Sequence, residues 1–445
     1  MTAEQNLINV GDYVVVQRQS FTKLHKLKAN GTVSLGKDQV ELENAIGKPY
    51  YTTFRMVTRP KNKRVYALEV SEEYVNCIQN VNIDKSGIDN RDIIDDGRSQ
   101  QLTTEEITKL RDNALSSSDI VEKLITNSKT FGAKTEYSQE KYLKKKERKY
   151  FEFIQIRKPS IRLIAEIYYR LDPGKVLGVR LDDLSQILSY SNVQDDSNIL
   201  LYDSGTCGLL AAAVMSRIGR DTSGTLVHMH PGNVCQKEAF LAMQFPTEQC
   251  DRCINVCLYS VLRCFYQEHN TAGQSEAVTT EQNTARQSSA VAVETNDSDK
   301  GKSDRPMANT AVVEINENNK RKCDQSDERP AKRPCWQIDN EKACKFLKNK
   351  FDSLVIVAKE HPLNIVNELL TFLNDGRPFV VFSLLRESLE SLYVELKNRK
   401  DIISLRLTST LMRNYQVLPD RTHPDVNMTC GGYILTGFII STKNN

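Results

Sequence analysis

The stretch NILLYDSGTCGLLAAAVMSRIG, from Asn198 to Gly219, limits the possible folds of this chain more than any other segment. It starts with an apolar run of strand length, turns sharply through a short glycine-containing segment, and continues as a helix of small apolar residues. A continuous apolar strand that leads directly into a helix is typical of a parallel sheet buried between helices. The segment therefore predicts an α/β domain.

The sequence after this segment continues to alternate between strands and helices. The stretches NIVNELLTFL and ESLESLYVELKNRK have helical patterns, and GGYILTGFII closes the chain as a final strand. The other strand candidates are GTLVHMHPG, DSLVIVAKEHP, RPFVVFS and ISLRL. This alternation predicts a Rossmann-like, doubly wound parallel sheet with a terminal hairpin over residues 151–445.

The amino-terminal part, residues 1–82, has a different pattern. Short strand-like runs of about four to eight residues follow one another without a helical periodicity. Asn30-Gly31, between two of these runs, predicts a tight hairpin. Closely spaced strands of this kind predict a small closed or nearly closed β-barrel.

Residues 83–150 connect the two predicted domains. Their first part is polar and predicts an extended connector. We expect a helix over Leu102–Asn127, with Thr103 or Thr104 as its N-cap. A second, lysine-rich helix is expected over roughly Thr135–Ile154.

The second domain is interrupted between residues 267 and 335. This stretch contains no aromatic residue and no leucine, and polar side chains dominate it. Such a composition buries too little apolar area to offset the entropy lost on ordering, so we expect a disordered insertion. Basic runs at residues 320–322 and 332–333 are typical of a two-part nuclear-localisation signal. A nonspecific nucleic-acid patch and a solvated tail remain alternatives.

Several classes of protein are disfavoured by the remaining features. The amino terminus lacks the features of a secretory signal, and no apolar run approaches the ~18 residues of a membrane span. We therefore expect a chain that stays inside the cell. Eleven cysteines with irregular spacing do not indicate a disulfide framework, so reduced thiols are expected. The net charge of +3 is too small to indicate a partner.

Four cysteines, Cys250, Cys253, Cys257 and Cys264, have a spacing that suggests a zinc site. Their offsets of 3, 7 and 14 residues place them on one face if the segment is a helix. Thiols spread over roughly 21 Å of helix cannot all bind one ion. We therefore expect a packed helix face and no metal.

The turn Asp203–Gly208 stands where doubly wound folds bind a nucleotide-like cofactor. Such a site needs glycines in alternate positions, because the backbone must approach the ligand closely. Gly205 fits this pattern, but Cys207 fills the next glycine position and Gly208 is out of register. The following strand ends near His230, where a carboxylate would hold the ribose hydroxyls. We expect plain strand-to-helix packing and no cofactor in this chain, with a shifted-glycine cofactor site as the alternative.

Five longer motifs occur in order along the chain. They are DNRDIIDDGRSQQLT, KTEYSQEKYLKKKERKY, YYRLDPGK, RPFVVFS and RNYQVLPDRTHP. Together they resemble the non-catalytic subunit family of the eukaryotic tRNA adenine-N1 methyltransferase, which modifies the T-loop adenosine. The resemblance implies a β-barrel plus a methyltransferase-type Rossmann-like domain. It also implies a nuclear heterotetramer, two copies of each subunit, in which the catalytic homologue binds S-adenosylmethionine.

Two segments combine this resemblance with basic side chains. The lysine-rich helix repeats its lysines at three- and four-residue intervals, which predicts a stripe of phosphate contacts. The motif RNYQVLPDRTHP brings two guanidiniums, an aromatic ring and an imidazole together, and such groups can grip phosphates and stack on an unpaired base. A solvated helix face and a polar crossover between strands are the respective alternatives.

Three further places complete the predicted tRNA surface. The resemblance implies that the polar connector and Arg170 face RNA, although nearby aspartates could pair the connector's arginines in a hinge. His361 follows a strand and could face RNA or cap a helix. The full set of candidate tRNA-binding residues is Asn90, Arg91, Arg98, Gln100, Lys141, Lys144, Lys145, Lys146, Arg148, Lys149, Arg170, His361, Arg413, Asn414, Tyr415, Arg421 and His423.

The leading functional hypothesis is a non-catalytic subunit that binds tRNA and positions it for N1-methylation of adenosine by a catalytic partner. One rival is a self-sufficient S-adenosylmethionine-dependent RNA methyltransferase with an unusual cofactor turn. Another rival is an RNA-binding protein unrelated to methylation. The sequence shows no catalytic triad or carboxylate pair that favours the enzyme.

Overall fold

A computed structural model defines two sheets and their surrounding helices. It describes residues 6–59, 62–71, 86–89, 91, 93, 99–103, 105–107, 110, 117–150, 152–267, 334–417, 422–424 and 431–441. The first sheet has the order β2-β1-β7-β5-β6-β4-β3. Its strands are β1 (Tyr13–Arg18), β2 (Phe21–Lys26), β3 (Thr32–Leu35), β4 (Asp38–Glu41), β5 (Thr53–Arg59), β6 (Asn62–Val70) and β7 (Phe153–Arg157).

The first sheet curls until its two edge strands approach each other. The Lys23 ammonium on β2 donates to the backbone oxygen of Ser34 on β3 over 2.8 Å. Apolar side chains from alternate strand positions, such as Val14, Phe54 and Ile156, fill the interior. The predicted nearly closed β-barrel is therefore confirmed.

Strand β7 comes from a part of the chain that the sequence analysis assigned to other elements. It lies between β1 and β5 and pairs antiparallel with both. Residues just beyond 151 thus belong to the first sheet, although we expected the second domain to begin there. The lysine-rich helix ends at Tyr150, so its predicted end at Ile154 was wrong. Buried and half-buried residues alternate over most of FIQIR, which is the strand pattern.

The predicted hairpin at Asn30-Gly31 was also wrong. A turn is present, since Gly31 N–H donates to the Lys28 oxygen over 3.0 Å. Its flanking strands pair elsewhere: β2 pairs with β1, and β3 pairs with β4. The barrel therefore uses this turn to pass from one end of the sheet to the other.

The second sheet is doubly wound, as predicted. Its order is β10-β9-β8-β11-β12-β16-β13, with five parallel strands and an antiparallel β16 between β12 and β13. Its strands are β8 (Asn198–Asp203), β9 (Thr225–His230), β10 (Cys253–Cys257), β11 (Ser353–Val357), β12 (Pro378–Ser383), β13 (Ile402–Ser409) and β16 (Tyr433–Ile439). The short strands β14 (Tyr415–Val417) and β15 (Thr422–Pro424) form a separate two-stranded ribbon, called here the β14–β15 ribbon.

Helices cover both faces of the second sheet. Ile199 and Leu201 of β8 point into one apolar core, whereas Leu200 and Tyr202 point into the other. The helices are α1 (Ser117–Thr126), α2 (Glu136–Tyr150), α3 (Ile161–Leu171), α4 (Leu181–Tyr190), α5 (Leu209–Ile218), α6 (Glu238–Ala242), α7 (Thr247–Asp251), α8 (Cys335–Asn349), α9 (Leu363–Leu369) and α10 (Arg386–Lys397). Residues 258–267 are helical as well, and Glu43–Ala45, Pro173–Val176 and Leu370–Phe372 form 3-10 turns.

Other predicted elements have mixed outcomes. Thr103 is an N-cap: its hydroxyl accepts from Glu106 N–H over 3.3 Å, and the Glu106 carboxylate accepts from Thr103 N–H over 2.8 Å. The predicted insertion lies outside the described residues except at its ends, where residue 267 is the last described residue of one helix and Cys335 begins α8. None of the described helices is long and apolar enough to cross a membrane.

The four closely spaced cysteines do not share a helix, so that prediction was wrong. Cys250 lies in α7, Cys253 and Cys257 lie in β10, and Cys264 lies in the helix at 258–267. Three different elements therefore divide the segment, because the residues between Cys253 and Cys257 form a buried edge strand. In the described part of the chain, no group of three His, Cys, Asp or Glu side chains is arranged to hold a metal ion.

The pairing of β7 predicts a measurable effect on its neighbours. Ile156→Ala removes a fully buried side chain from the barrel core, which costs about 2–5 kcal/mol. We expect faster amide hydrogen exchange in β1 and β5, measured by mass spectrometry, with the second sheet unchanged. The control Lys158→Ala, at an exposed position just after β7, leaves exchange unchanged. Unaltered protection of β1 and β5 in Ile156→Ala would contradict this role of β7.

Candidate functional site

The carboxylate of Asp203 at the end of β8 is satisfied by its own turn. One oxygen, Oδ1, accepts from Gly205 N–H over 2.9 Å and from Thr206 N–H over 2.8 Å. The other oxygen, Oδ2, accepts from the Thr206 hydroxyl. These bonds fix a tight strand-to-helix turn, as the sequence pattern predicted. They also point the N–H groups of Gly205 and Thr206 toward the Asp203 carboxylate.

The segment after β9 closes over this glycine turn. Gln236 accepts from Cys207 N–H through its side-chain oxygen over 3.1 Å, and Ala239 N–H donates to the Cys207 oxygen over 3.0 Å. Gly208 has φ +75°, and a Cβ there would lie 2.8 Å from the backbone oxygen of Gln236. Only glycine therefore fits at this contact, and its role is packing between protein segments.

Lys359 fills the other side of the turn. Its backbone N–H donates to the Ser204 hydroxyl over 2.7 Å. Its ammonium nitrogen lies 3.6 Å from the position of a Cβ on Gly205, where a ligand would approach the backbone. The side chains of Gln236 and Lys359 therefore both lie close to the turn, while Gly205 still lines a small recess.

The end of β9 carries two buried imidazoles and no carboxylate. His228 Nδ1 lies 3.0 Å from Asn255 Oδ1 and 3.4 Å from Cys235 Sγ, and His228 Nε2 lies 3.9 Å from Asp203 Oδ2. Burial lowers the pKa of His228, and Asp203 opposes this only in part. Burial also lowers the pKa of His230. Both rings are therefore neutral near pH 7.

These groups do not fit S-adenosylmethionine. His230 ends β9 at the position where a carboxylate would receive the ribose hydroxyls, as the sequence indicated. The glycine turn, which would face the other end of the cofactor, is contacted by Gln236 and Lys359. In the described part of the chain, β9 ends without a carboxylate and Gln236 and Lys359 contact the glycine turn, so this arrangement differs from an S-adenosylmethionine site.

Part of the predicted basic stripe is exposed on α2. Lys141, Lys144 and Lys145 are exposed, and Lys146 lies with its ammonium 5.2 Å from the centre of the Tyr142 ring. Lys144 is paired with Glu140 over 2.5 Å. The structure thus gives α2 a positive surface, with one of its lysines partly neutralised by a neighbour.

The β14–β15 ribbon packs against α2. The Gln416 side-chain amide donates to Glu140 over 2.5 Å, and the rings of Tyr137 and His423 meet edge to face with centres 5.8 Å apart. Arg413, Asn414, Tyr415 and His423 are all exposed. The two segments that the sequence analysis singled out separately therefore form one surface, called here the basic surface.

The connector lies near the same helices. Gln100 donates to the Leu124 oxygen over 3.0 Å and forms a β-bridge with Ser128, between α1 and α2. Arg91 is exposed and pairs with Asp89 over 2.9 Å, and the aspartates of the hinge alternative, Asp92, Asp95 and Asp96, lie outside the described residues. The local contact arises because Asp89 is only two residues away.

Two predicted residues lie elsewhere. Arg170 of α3 donates to the backbone oxygen and the hydroxyl of Thr22, and its guanidinium lies 5.0 Å from the centre of the Phe21 ring. It therefore joins α3 to the barrel. His361 is exposed at the start of α9, where its Nδ1 accepts from Leu363 N–H over 3.4 Å. This is the helix-capping role that we considered for it.

The remaining candidates cannot be placed as side chains. Asn90, Arg98 and Arg421 lie outside the described residues. The backbone of Arg148 and Lys149 is part of α2, but their side chains are outside the described part of the structure. Their proposed contacts stay predictions.

The sequence analysis did not identify the residues that surround the glycine turn and the end of β9. Gln236, Lys359, Cys235 and Asn255 carry no motif, and each stands in a loop or strand remote from the glycine turn in sequence. Their shared signal is position alone, at the carboxyl edge of the sheet. Trp336 at the start of α8 was missed for the same reason.

The strand order of the second sheet and the strand-to-helix turn after β8 define a Rossmann-like α/β chain of the methyltransferase type. A family model described as the Gcd10p family matches residues 7–326. This chain belongs to the Gcd10p family, which confirms the resemblance seen in its motifs.

Named relatives agree with that assignment. The tRNA (adenine(58)-N(1))-methyltransferase non-catalytic subunit of Mus musculus is 31% identical over 451 residues, covering 97% of this chain and 88% of the relative. The protein of the same description from Dictyostelium discoideum is 28% identical over 441 residues, covering 97% and 79%.

Two solved structures are similar over nearly the full length. One is a tRNA (m1A58) methyltransferase from Aquifex aeolicus, with a TM-score of 0.43 and 11% identity, covering 98% of this chain and all of that one. The other is an S-adenosylmethionine-dependent O-methyltransferase from Thermotoga maritima, with a TM-score of 0.47 and 9% identity, covering 99% and 98%.

The buried imidazoles predict a pH dependence of stability. An unfolded histidine takes up a proton below about pH 6.5, whereas native His228 resists protonation, so the free energy of unfolding falls as the pH falls. Each unit of pKa depression contributes about 1.4 kcal/mol. Denaturant unfolding at pH 7.5 and 5.5 should show a smaller loss in His228→Asn than in the native chain. The exposed control His361→Asn should keep the native loss, and equal losses in all three proteins would refute the prediction.

Proposed function

We propose that this chain is a non-catalytic subunit of a tRNA adenine-N1 methyltransferase. It would hold tRNA while a catalytic partner, carrying S-adenosylmethionine, methylates the T-loop adenosine. The observation that carries this proposal is the filled turn: Gln236 binds the Cys207 amide, and the Lys359 ammonium lies against Gly205. In a methyltransferase-type sheet with this turn, Gln236 and Lys359 stand against the backbone that an open site would present to the methyl donor.

The relatives support the same division of labour. Those from Mus musculus and Dictyostelium discoideum are named non-catalytic subunits of a tRNA (adenine(58)-N(1))-methyltransferase, and each alignment covers 97% of this chain. We extend this description to the present chain and propose two copies of each subunit in the complex. The basic runs at residues 320–322 and 332–333 support a nuclear location.

The basic surface is the proposed place for tRNA. Exposed lysines of α2 adjoin exposed Arg413, Tyr415 and His423 next to the β14–β15 ribbon. Ammonium and guanidinium groups supply phosphate contacts, and an exposed tyrosine can stack on an unpaired base. The rival function of a self-sufficient methyltransferase is disfavoured by the filled turn, and an RNA-binding role unrelated to methylation is disfavoured by the named relatives.

The basic surface can be tested by charge reversal in the assembled complex. Lys141 and Lys145 are exposed one helical turn apart on α2. The double variant Lys141→Glu with Lys145→Glu should weaken tRNA binding by about tenfold or more, and reduce the slope of log affinity against log salt by roughly 2. The measurement is equilibrium binding of labelled tRNA at several salt concentrations.

A matched variant separates this surface from a general effect of charge. Lys397→Glu with Lys400→Glu makes the same charge change at exposed positions at the end of α10. We expect near-native tRNA affinity and salt slope from it. Equal weakening by both double variants would mean that tRNA is not held at α2.

The division of labour predicts a reconstitution result. Methyl transfer from labelled S-adenosylmethionine to unmodified tRNA should occur with both subunits together, and not with this chain alone. Calorimetry should detect no binding of S-adenosylmethionine to this chain alone, because its glycine turn is filled. Turnover by this chain after removal of every trace of partner would overturn the proposal.

A further inference from the structure

Two neighbouring recesses are open at the carboxyl edge of the second sheet, one of them at the turn after β8. The smaller, of about 190 Å³, is bounded by the turn after β8 and by His228 and His230. The larger, of about 410 Å³, lies between the ends of β9 and β10, the helix at 258–267 and α8. His230 lines both recesses. The larger volume is within the usual range of small-molecule sites.

The smaller recess contains polar groups that the described protein does not satisfy. His228 Nε2 and His230 Nδ1 have no hydrogen-bond partner in the described part of the chain. The two residues are only 2% and 7% exposed. Buried polar atoms are nearly always paired, so two adjacent exceptions in one recess indicate that a ligand or water completes them.

The chemistry of these imidazoles selects the kind of group. Burial lowers the pKa of both rings, so each ring is neutral and has one donor and one acceptor nitrogen. Vicinal hydroxyls can donate and accept at once, which matches a pair of neutral imidazoles. A ribose diol therefore fits the smaller recess.

The larger recess has groups suited to a nucleobase. The Trp336 indole forms part of its wall and is 58% exposed, which leaves an aromatic face for stacking. The carboxamides of Asn233 and Asn340 line the same recess, and Asn340 donates to the Ser260 hydroxyl over 2.7 Å. An ordered carboxamide beside an aromatic ring offers hydrogen bonds to the edge of a stacked base.

The charges and the space around the two recesses further limit the classes of ligand that can bind there. Asp203 is the only charged side chain among the described residues that line the two recesses, and its oxygens are occupied by the adjacent turn. No lysine or arginine of the described part of the chain lines either recess, and the Lys359 ammonium lies beside Gly205 at the margin of the smaller one. The amino-acid end of S-adenosylmethionine would meet Gln236 and Lys359.

We propose that these two recesses form a nucleoside-binding cleft, with the ribose at His228 and His230 and the base against Trp336. The occupant is a free nucleoside or the base and ribose of an unpaired nucleotide in RNA, since the recognised chemistry is the same. This inference goes beyond the proposed subunit function and does not depend on it.

The chain offers a direct reporter, because Trp336 is its single tryptophan. We expect adenosine, or another ribonucleoside, to change the fluorescence of the full chain saturably. S-adenosylmethionine should give no such change, and 2′,3′-dideoxyadenosine should bind about tenfold more weakly, since it lacks the diol. A short unpaired oligoribonucleotide that displaces adenosine would identify RNA as the source, whereas one that does not would identify a free nucleoside.

Variants decide whether the signal comes from the cleft. His230→Ala should weaken adenosine binding by about tenfold, and Tyr259→Ala, a 71% exposed residue beside the cleft, should not. His230 is buried, so replacing it can also disturb the fold, and a second variant changes an exposed residue instead. Adenosine binding by this variant, Trp336→Ala, is measured by equilibrium dialysis with labelled adenosine. Its affinity should fall at least as far.

The proposal is overturned if no ribonucleoside binds saturably, or if Trp336→Ala and His230→Ala bind adenosine as the native chain does. Neither result would alter methyl transfer by the reconstituted complex, so failure of the cleft is distinguishable from failure of the subunit role.

Discussion

The contact between the segment after β9 and the glycine turn after β8 determines what this fold can do. Gly208 lies against the Gln236 backbone so closely that no side chain fits, and Cys207 N–H is bound by the Gln236 side chain. In an open site of this kind, turn N–H groups and glycine backbone face a ligand. Here Cys207 and Gly208 hold two protein segments together, and only the earlier part of the turn, including Gly205, borders a recess.

A second constraint joins the barrel to the sheet domain and positions the basic surface. Strand β7 begins almost directly after α2 and is an inner strand of the barrel sheet, paired between β1 and β5. The α3 helix that follows packs Leu163 and Ile167 on Val15, and its Arg170 binds Thr22. α2 is therefore followed at its carboxyl end by a barrel strand and contacted near its amino-terminal end, at Tyr137 and Glu140, by the β14–β15 ribbon. Exposed lysines on such an anchored helix present charge at a defined place.

The sequence predicted the elements whose signal is local and missed those that depend on distant neighbours. The continuous apolar strand before Asp203 and the glycine turn are local signals, so the sheet and its turn were predicted correctly. The hairpin at Asn30-Gly31 was wrong because a turn signal does not say which strands will pair. Cys253 and Cys257 were assigned to a helix because their spacing fits both a helix and a short buried strand. Lys359 was missed because only folding brings it to Gly205, 154 positions earlier in the chain.

The cleft separates two properties that an S-adenosylmethionine site normally combines. On the side toward Gly205 the recess is small and Gln236 and Lys359 lie beside the glycine, whereas the side toward β10 and α8 has a larger recess with an exposed indole. If the contacts of Gln236 and Lys359 with the turn only stabilised the fold, apolar side chains should also fill the space at the end of β9. Its polar atoms should then be either paired or replaced by apolar groups. Instead, His228 Nε2 and His230 Nδ1 remain buried and unpaired in the described structure, which costs about 1–3 kcal/mol for each group. Unpaired buried groups with this cost in free energy are more easily tolerated where a bound ligand offsets the cost. The open side is therefore better explained as a binding site of its own than as the remains of an S-adenosylmethionine site.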